Sequence, residues 1–275
     1  MKKDTPIIRH IIFFYGEIKA CLLESNNYFC RNGNKYLSRF KMRYIGSYSD
    51  SFDYYYKKIF KRSLFKSFED LENSKPNLKT HGFEFLPDID LNELDFIQIN
   101  DPAKSNNTVN KNIITSIQLA EKFSRRNNFD QIARTIIGKK KANFYAVSWN
   151  TKVFADPDAV KTTQWHRDRD GYNVVKFFIH LSDIDENSGP HEYALQSNIV
   201  KPLCFVPQIR YSDDNVLNFF KTKKILGKKG TCFVAHTNGL HKGTAPTKNI
   251  RSMLQLVYYD GPIYWEKDTL EVQLG

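Results

Sequence analysis

Gln164-Trp165-His166-Arg167-Asp168 is the stretch on which the reading of this chain turns. In an extended backbone successive side chains alternate between faces, so His166 and Asp168 project to one side and can reach a single metal ion. A third ligand must come from elsewhere in the chain. His241 supplies an imidazole after an apolar strand-like run, 231–235, and a turn-like stretch, 237–240, which suits a ligand near the mouth of a barrel. Two imidazoles and one carboxylate on one face of an Fe(II) ion leave three positions open, room for a bidentate 2-oxoacid and dioxygen. Arg251, ten residues beyond His241, opens another strand-like run, 252–259. A guanidinium there grips a carboxylate by two parallel charge-assisted hydrogen bonds while the oxo-acid end of the same molecule chelates iron.

Other residues qualify this pattern. A His-x-Asp pair is common by chance; Trp165 before it, Gly189-Pro190 after it and the His241 to Arg251 interval give it weight. Asp170 shares a face with His166 and Asp168 if the strand continues, as an alternative ligand or a hydrogen-bond acceptor. His236 competes with His241 but ends the apolar run, and is read as structural. His180 and His191 are read as barrel-wall and loop residues. Lys176 stands in the otherwise apolar run 176–184, and a buried ammonium needs an acid, the 2-oxoacid or an anionic substrate group beside it. Asn150, on a strand expected over 144–153, either donates to the inner carboxylate of the 2-oxoacid or points outward as a polar residue. Gln255 alternates with Leu254 and Leu256 and is expected to point into the barrel.

From about residue 143 to residue 259 the chain resembles the phytanoyl-CoA dioxygenase family of Fe(II)/2-oxoglutarate-dependent oxygenases. The likeness is carried by Trp-His-x-Asp at 165–168, the run 176–184, the turn Asn187-Ser188-Gly189-Pro190, a Gly-Thr pair before a late strand, and His241 followed by Arg251. It implies a double-stranded β-helix, a jelly-roll barrel of the cupin kind, mainly β with flanking helices that pack on it. It also implies that His166, Asp168 and His241 bind iron and that Arg251 binds the distal carboxylate of 2-oxoglutarate. Trp165, Lys176, Arg210 and Gln255 are then candidates for contacts to substrate or to the ligands. The sequence departs from the family at its Pro-Gly-Ser-His, which falls on 195–198 with only Ser197 retained. Gly243 stands where many members carry a second hydroxyl for the co-substrate, a role for which Thr244 and Ser252 are the candidates. The implied reaction consumes 2-oxoglutarate and dioxygen, releases succinate and carbon dioxide, and hydroxylates an unactivated carbon of a small, anionic or carrier-linked metabolite. A halogenase would need a small residue where Asp168 stands. The alternative is a catalytically degenerate barrel that binds an anionic ligand or nucleic acid.

The remaining sequence sets bounds. With 275 residues and 41% apolar content the chain can bury a full core. Cys21, Cys30, Cys204 and Cys232 show neither a disulfide framework nor zinc spacing, which fits a reducing cytoplasm. The net charge is +11, and residues 1–80 hold 16 Lys and Arg against 8 Asp and Glu, interleaved with aromatics as in 53–62. Solvated lysines in a Lys-, Asn- and Ile-rich chain account for this, and no specific nucleic-acid partner is expected. The apolar stretch 7–23 is interrupted by Arg9, His10, Glu17 and Lys19, so neither a signal peptide nor a membrane span is expected there. We expect a helical extension over 1–80 and an oxygenase domain over 81–275. Helices are expected over 7–23, 52–65, 110–126 and 129–137, the last capped by Asp130 and stopped by Gly138, and 208–229 reads as an insertion or lid. No feature specifies an oligomeric state.

Overall fold

The computed structural model describes residues 51, 54–55, 70–71, 74–101, 107–154, 161–168, 173–202, 205 and 210–260. The helix expected over 7–23 and the residue Asp170 lie outside them, and of 52–65 only the helical Tyr54 and Tyr55 are described.

The strand Arg251–Asp260 (β13) is the spine of the barrel. It pairs along one edge with Asn143–Thr151 (β5) and along the other with Asn173–His180 (β7). Beyond these lie Val109–Lys111 (β3) on one side, and Cys232–Ala235 (β11) and Phe83–Leu86 (β1) on the other, giving a six-stranded antiparallel sheet, β1-β11-β7-β13-β5-β3. A five-stranded sheet faces it. Its strands are Trp165–His166 (β6), His191–Ala194 (β8), Arg210–Tyr211 (β9), Thr222–Ile225 (β10) and His241–Gly243 (β12), in the order β10-β8-β12-β6-β9. From β5 to β8 and again from β10 to β13 the chain crosses between the two sheets at every step. The fold is a double-stranded β-helix. A separate two-stranded ribbon, Ile97–Gln98 (β2) with Ile113–Ile114 (β4), lies outside the barrel sheets.

The central strands are covered on both faces, so residues 251–258 of β13 are all buried, the polar Arg251, Ser252 and Gln255 among them. The outer face carries Leu254, Leu256 and Tyr258 with Phe177 and Ile179 of β7. Two helices close over it, Ile117–Arg126 (α1) and Phe129–Ile137 (α2), through Phe123, Phe129, Ala133 and Ile137. Phe129 stacks on Phe177 at 4.9 Å between centroids. Each such buried ring stabilises the helix layer by about 1.5–3 kcal/mol relative to leaving it in water.

Three local expectations need correction. The helix expected from 110 begins at Ile117, because Ser116 accepts the amide of Leu119 as a cap while 109–111 and 113–114 are drawn into strands. Asp130 lies in the first turn of α2 and does not cap it; the cap position is Asn128 in a left-handed conformation, φ 60°. Gly138 ends the helix as expected, at φ 73°. The segment 208–229 supplies both edge strands of the five-stranded sheet, β9 and β10, with the short helix Asp213–Leu217 (α3) between them. Its ends are integral to the barrel.

Candidate active site

Between the two sheets, Phe83, Phe178, Tyr193, Leu195, Phe233 and Met253 fill part of the interior. The rest is a cavity of about 590 Å³, lined among others by His166, Asp168, His241, Arg251, Lys176 and Gln255. Strand parity explains the selection. On β13 Arg251, Met253 and Gln255 face inward, on β7 Lys176 and Phe178 do, and on β5 Tyr145, Val147, Trp149 and Thr151 do.

His166 and His241 are direct partners across the β6 and β12 pairing, with ring centroids 4.4 Å apart. Each Nδ1 is bonded to a backbone carbonyl two residues earlier, Gln164 O at 2.8 Å and Gly239 O at 3.0 Å. Those acceptors fix the proton on Nδ1 and leave Nε2 with its lone pair for a metal. Asp168 follows β6 in a loop tied down by its own amide, which donates to Thr237 O at 2.8 Å. Its Oδ1 lies 3.6 Å from His166 Nε2 and its Oδ2 lies 3.4 Å from His241 Nε2. One ligand atom from each of the three falls within 4.8 Å of the others. Ligands at right angles on a first-row divalent ion, with bonds of about 2.1 Å, sit about 3 Å apart. These three residues can therefore hold a metal ion once the widest of their separations, at most 4.8 Å, closes by under about 2 Å.

The electrostatics suit a cation. Burial lowers the His166 pKa to about 3, with the neighbouring His241 adding to the shift and Asp168 opposing it, so the imidazole is neutral at neutral pH and its lone pair is available to a metal. Burial would raise the Asp168 carboxyl; Lys176 and the two imidazoles outweigh it and hold it well below the usual range. The Lys176 ammonium donates to Asp168 Oδ2 at 2.7 Å, which answers the question its sequence position raises. Its acid is the candidate metal ligand.

Arg251 is fully enclosed, and burial alone brings its pKa down to about 10. Nη1 donates to Gly189 O and Nη2 donates weakly to Thr151 Oγ1 at 3.4 Å, while Nε has no partner among the described residues. No carboxylate of the described residues pairs with it. Gly243 makes the space, because a Cβ there would come within 2.5 Å of Nη1.

The other sequence candidates divide by face. Gln255 lines the cavity. Asn150 does not: it lies on the outer face of β5, where its Nδ2 donates to Asn112 Oδ1 and Asn100 O, both at 2.9 Å. Ser252, its partner in register, faces the same way. Thr244 Oγ1 donates to Pro190 O at 3.0 Å and is outside the cavity lining. Trp165 is buried opposite His166, with Nε1 donating to Asp213 Oδ1 at 2.6 Å and the Lys242 ammonium 4.8 Å above its ring. Arg210 pairs in register with His166 at the sheet edge and does not line the cavity. Ser197, retained from the Pro-Gly-Ser-His pattern, accepts the Leu240 amide at 2.7 Å and so anchors the entry to β12. Thr151 went unnoticed in the sequence and His191 was read there as a loop residue, yet both line the cavity. Thr151 is the β5 partner of Arg251 and becomes visible once that register is known. His191, two residues before the inward Tyr193, shows its face only once 191–194 is recognised as a strand.

No family model and no curated protein matches this chain. Solved structures do. EctD from S. alaskensis, crystallised with 2-oxoglutarate and 5-hydroxyectoine, is 16% identical over 68% of this chain and 77% of its own, with a TM-score of 0.48. EvdO2 from Micromonospora carbonacea var. aurantiaca, complexed with 2-oxoglutarate, is 14% identical over 76% and 94%, TM-score 0.47. The non-haem α-ketoglutarate-dependent epimerase SnoN from nogalamycin biosynthesis is 15% identical over 70% and 84%, TM-score 0.45. Likeness at this level leaves the chemistry to be argued from the side chains. Among the described residues no helix is long and apolar enough to cross a membrane.

Proposed function

We propose that this protein is a non-haem Fe(II)- and 2-oxoglutarate-dependent dioxygenase that hydroxylates a carbon of a small molecule. The observation that carries the reading is Arg251, a guanidinium buried in the triad's own cavity with no carboxylate partner among the described residues. Burying a charge without a counter-charge is costly, and such a group is explained by the anion it awaits. The spacing fits a short dicarboxylate. His241 and Gly243 are successive inward positions on β12, about 6.6 Å apart along a strand, with the guanidinium lying over Gly243. A five-carbon diacid chelating a metal at His241 reaches Arg251 with its other end.

His166, Asp168 and His241 would hold the iron, and a facial set of two imidazoles and one carboxylate leaves the opposite positions for the oxo-acid and dioxygen. When bound, that group supplies oxidative decarboxylation of the co-substrate to succinate and carbon dioxide coupled to oxidation of a substrate C–H bond. The chain's own residues do the rest. Arg251 binds and orients the co-substrate through two donors, Lys176 holds one oxygen of Asp168, and Trp149, Phe178 and Met253 keep water from the cavity wall.

The test is calorimetric titration of 2-oxoglutarate into anaerobic, Mn(II)-loaded protein, beside equilibrium dialysis of the metal. Binding is expected to require metal, to vanish with metal uptake in Asp168→Ala, and to fail in Arg251→Ala while metal uptake persists. Tight metal uptake by Asp168→Ala, or wild-type protein that takes metal but no 2-oxoglutarate, contradicts the proposal.

A further inference from the structure

Gly243 offers no hydroxyl, and neither Thr244 nor Ser252 faces the cavity, so Arg251 lacks the second polar group that a distal carboxylate would engage from that strand. The adjacent strand supplies one. His191 of β8 is the direct register partner of Gly243, on the row over which the guanidinium lies. It is 6% exposed, lines the cavity, and its Nε2 has no hydrogen-bond partner among the described residues. Its ring is held in place: parallel to His241 at 5.2 Å with 6° between planes, and wedged against Phe178 at 5.0 Å and Phe233 at 5.5 Å. Leu or Phe would fill such an apolar slot without leaving a polar atom unpaired, and a buried unpaired nitrogen costs free energy that a bound polar group recovers.

We infer that His191 is the second anchor of the co-substrate, its Nε2–H donating to the distal carboxylate that Arg251 grips from the other side, so that the two together select a five-carbon 2-oxo diacid over 2-oxo monoacids. This rests on the 2-oxoglutarate reading above. A carboxylate has lone pairs enough for both partners, and the two donors approach it from the two opposed sheets, the guanidinium from β13 and the imidazole from β8.

The experiment measures binding without turnover. Anaerobic, Mn(II)-loaded wild type, His191→Leu and His191→Gln are titrated with 2-oxoglutarate and with 2-oxobutyrate, which lacks the distal carboxylate. His191→Leu should weaken 2-oxoglutarate binding by roughly 10- to 100-fold, the loss of one hydrogen bond to a charged group, and leave metal affinity and 2-oxobutyrate binding unchanged. His191→Gln, which keeps an N–H near the Nε2 position, should recover most of the loss. Nitrogen-15 imidazole spectra of Zn(II)-loaded wild type give a reading independent of variant folding: the His191 Nε2 resonance should move with 2-oxoglutarate and stay with 2-oxobutyrate. Wild-type affinity in His191→Leu, equal loss for both oxo-acids, or an unmoved resonance overturns the assignment. Wild type that binds no 2-oxoglutarate overturns the underlying reading instead, so the two failures are distinct.

Discussion

Gly243→Ala adds one methyl group, and the structure states where it goes. The new Cβ would lie 2.5 Å from Arg251 Nη1, 2.7 Å from Nη2 and 3.0 Å from Cζ. Carbon and nitrogen atoms rest at about 3.5 Å or more, so the guanidinium must retreat by about 1 Å. It cannot do so freely, being enclosed and holding Gly189 O through Nη1. Gly189 in turn sits at φ 69°, with Thr244 O 2.5 Å from where its own Cβ would be, so that side of the pocket does not yield. Overpacking of this kind costs about 1–3 kcal/mol of stability. The displaced fork also loses its alignment with the co-substrate, and one charge-assisted hydrogen bond forfeited is about 1.5–3 kcal/mol, or 10- to 100-fold in affinity. The assay pairs a denaturant midpoint with 2-oxoglutarate titration of Mn(II)-loaded protein. Metal affinity should hold, since His166, Asp168 and His241 are untouched. An unchanged midpoint with 2-oxoglutarate affinity within about twofold of wild type would refute the placement of Arg251.

Three further outcomes follow from the same geometry. Lys176→Met strips Asp168 of its ammonium; with a fifth of the carboxylate side chain exposed, the metal-free protein should lose about 3 kcal/mol or less, and added Mn(II) should raise the melting temperature more than in wild type. An equal response to metal in both proteins would show that the ion pair does not matter. Asn150→Ala breaks the buried Asn150, Asn112 and Ser148 network and should cost about 1–3 kcal/mol of stability with no change in 2-oxoglutarate binding, because that network lies outside the cavity; weakened co-substrate binding would contradict its orientation. Burial depresses His180 to about 4 and His191 well below its ordinary 6.5. The unfolded chain therefore takes up protons first as pH falls, and stability should drop from pH 7.5 to 5.5 by about 1 kcal/mol for His180, with His191 adding in the same direction. Urea midpoints that do not move over that window would show these imidazoles to be charged in the fold.

The His166, Asp168 and His241 cluster was legible because its candidate ligands are rare residue types, two of them in a short extended segment where two-residue spacing fixes the face. Arg251 was legible for the same reason. Asn150, Ser252 and Thr244 were misassigned because β5 and β13 are covered on both sides. With no apolar and polar alternation to mark the inward face, Asn150 looked as eligible as Thr151, and only the register of Arg251 with Thr151 decides between them. His191 was hidden by the brevity of β8, four residues all buried, whose strand character comes from pairing with β10 and β12 and not from local propensity. The strands at 109–111 and 113–114 were absorbed into an expected helix because Ile113, Ile114, Ile117 and Ala120 share helical spacing; Ser116 marks the boundary that the periodicity blurs.

One metal ion and one 2-oxo diacid are expected to occupy the same cavity, bridging the His166, Asp168 and His241 cluster to Arg251. Anaerobic titration of metal-free protein with Fe(II) and then 2-oxoglutarate, followed by visible absorption, tests it most directly. The account predicts a metal-to-ligand charge-transfer band that needs both components, is absent in Asp168→Ala, and in Arg251→Ala appears only at much higher 2-oxoglutarate. A folded, iron-loaded wild type that shows no band at saturating 2-oxoglutarate would contradict it.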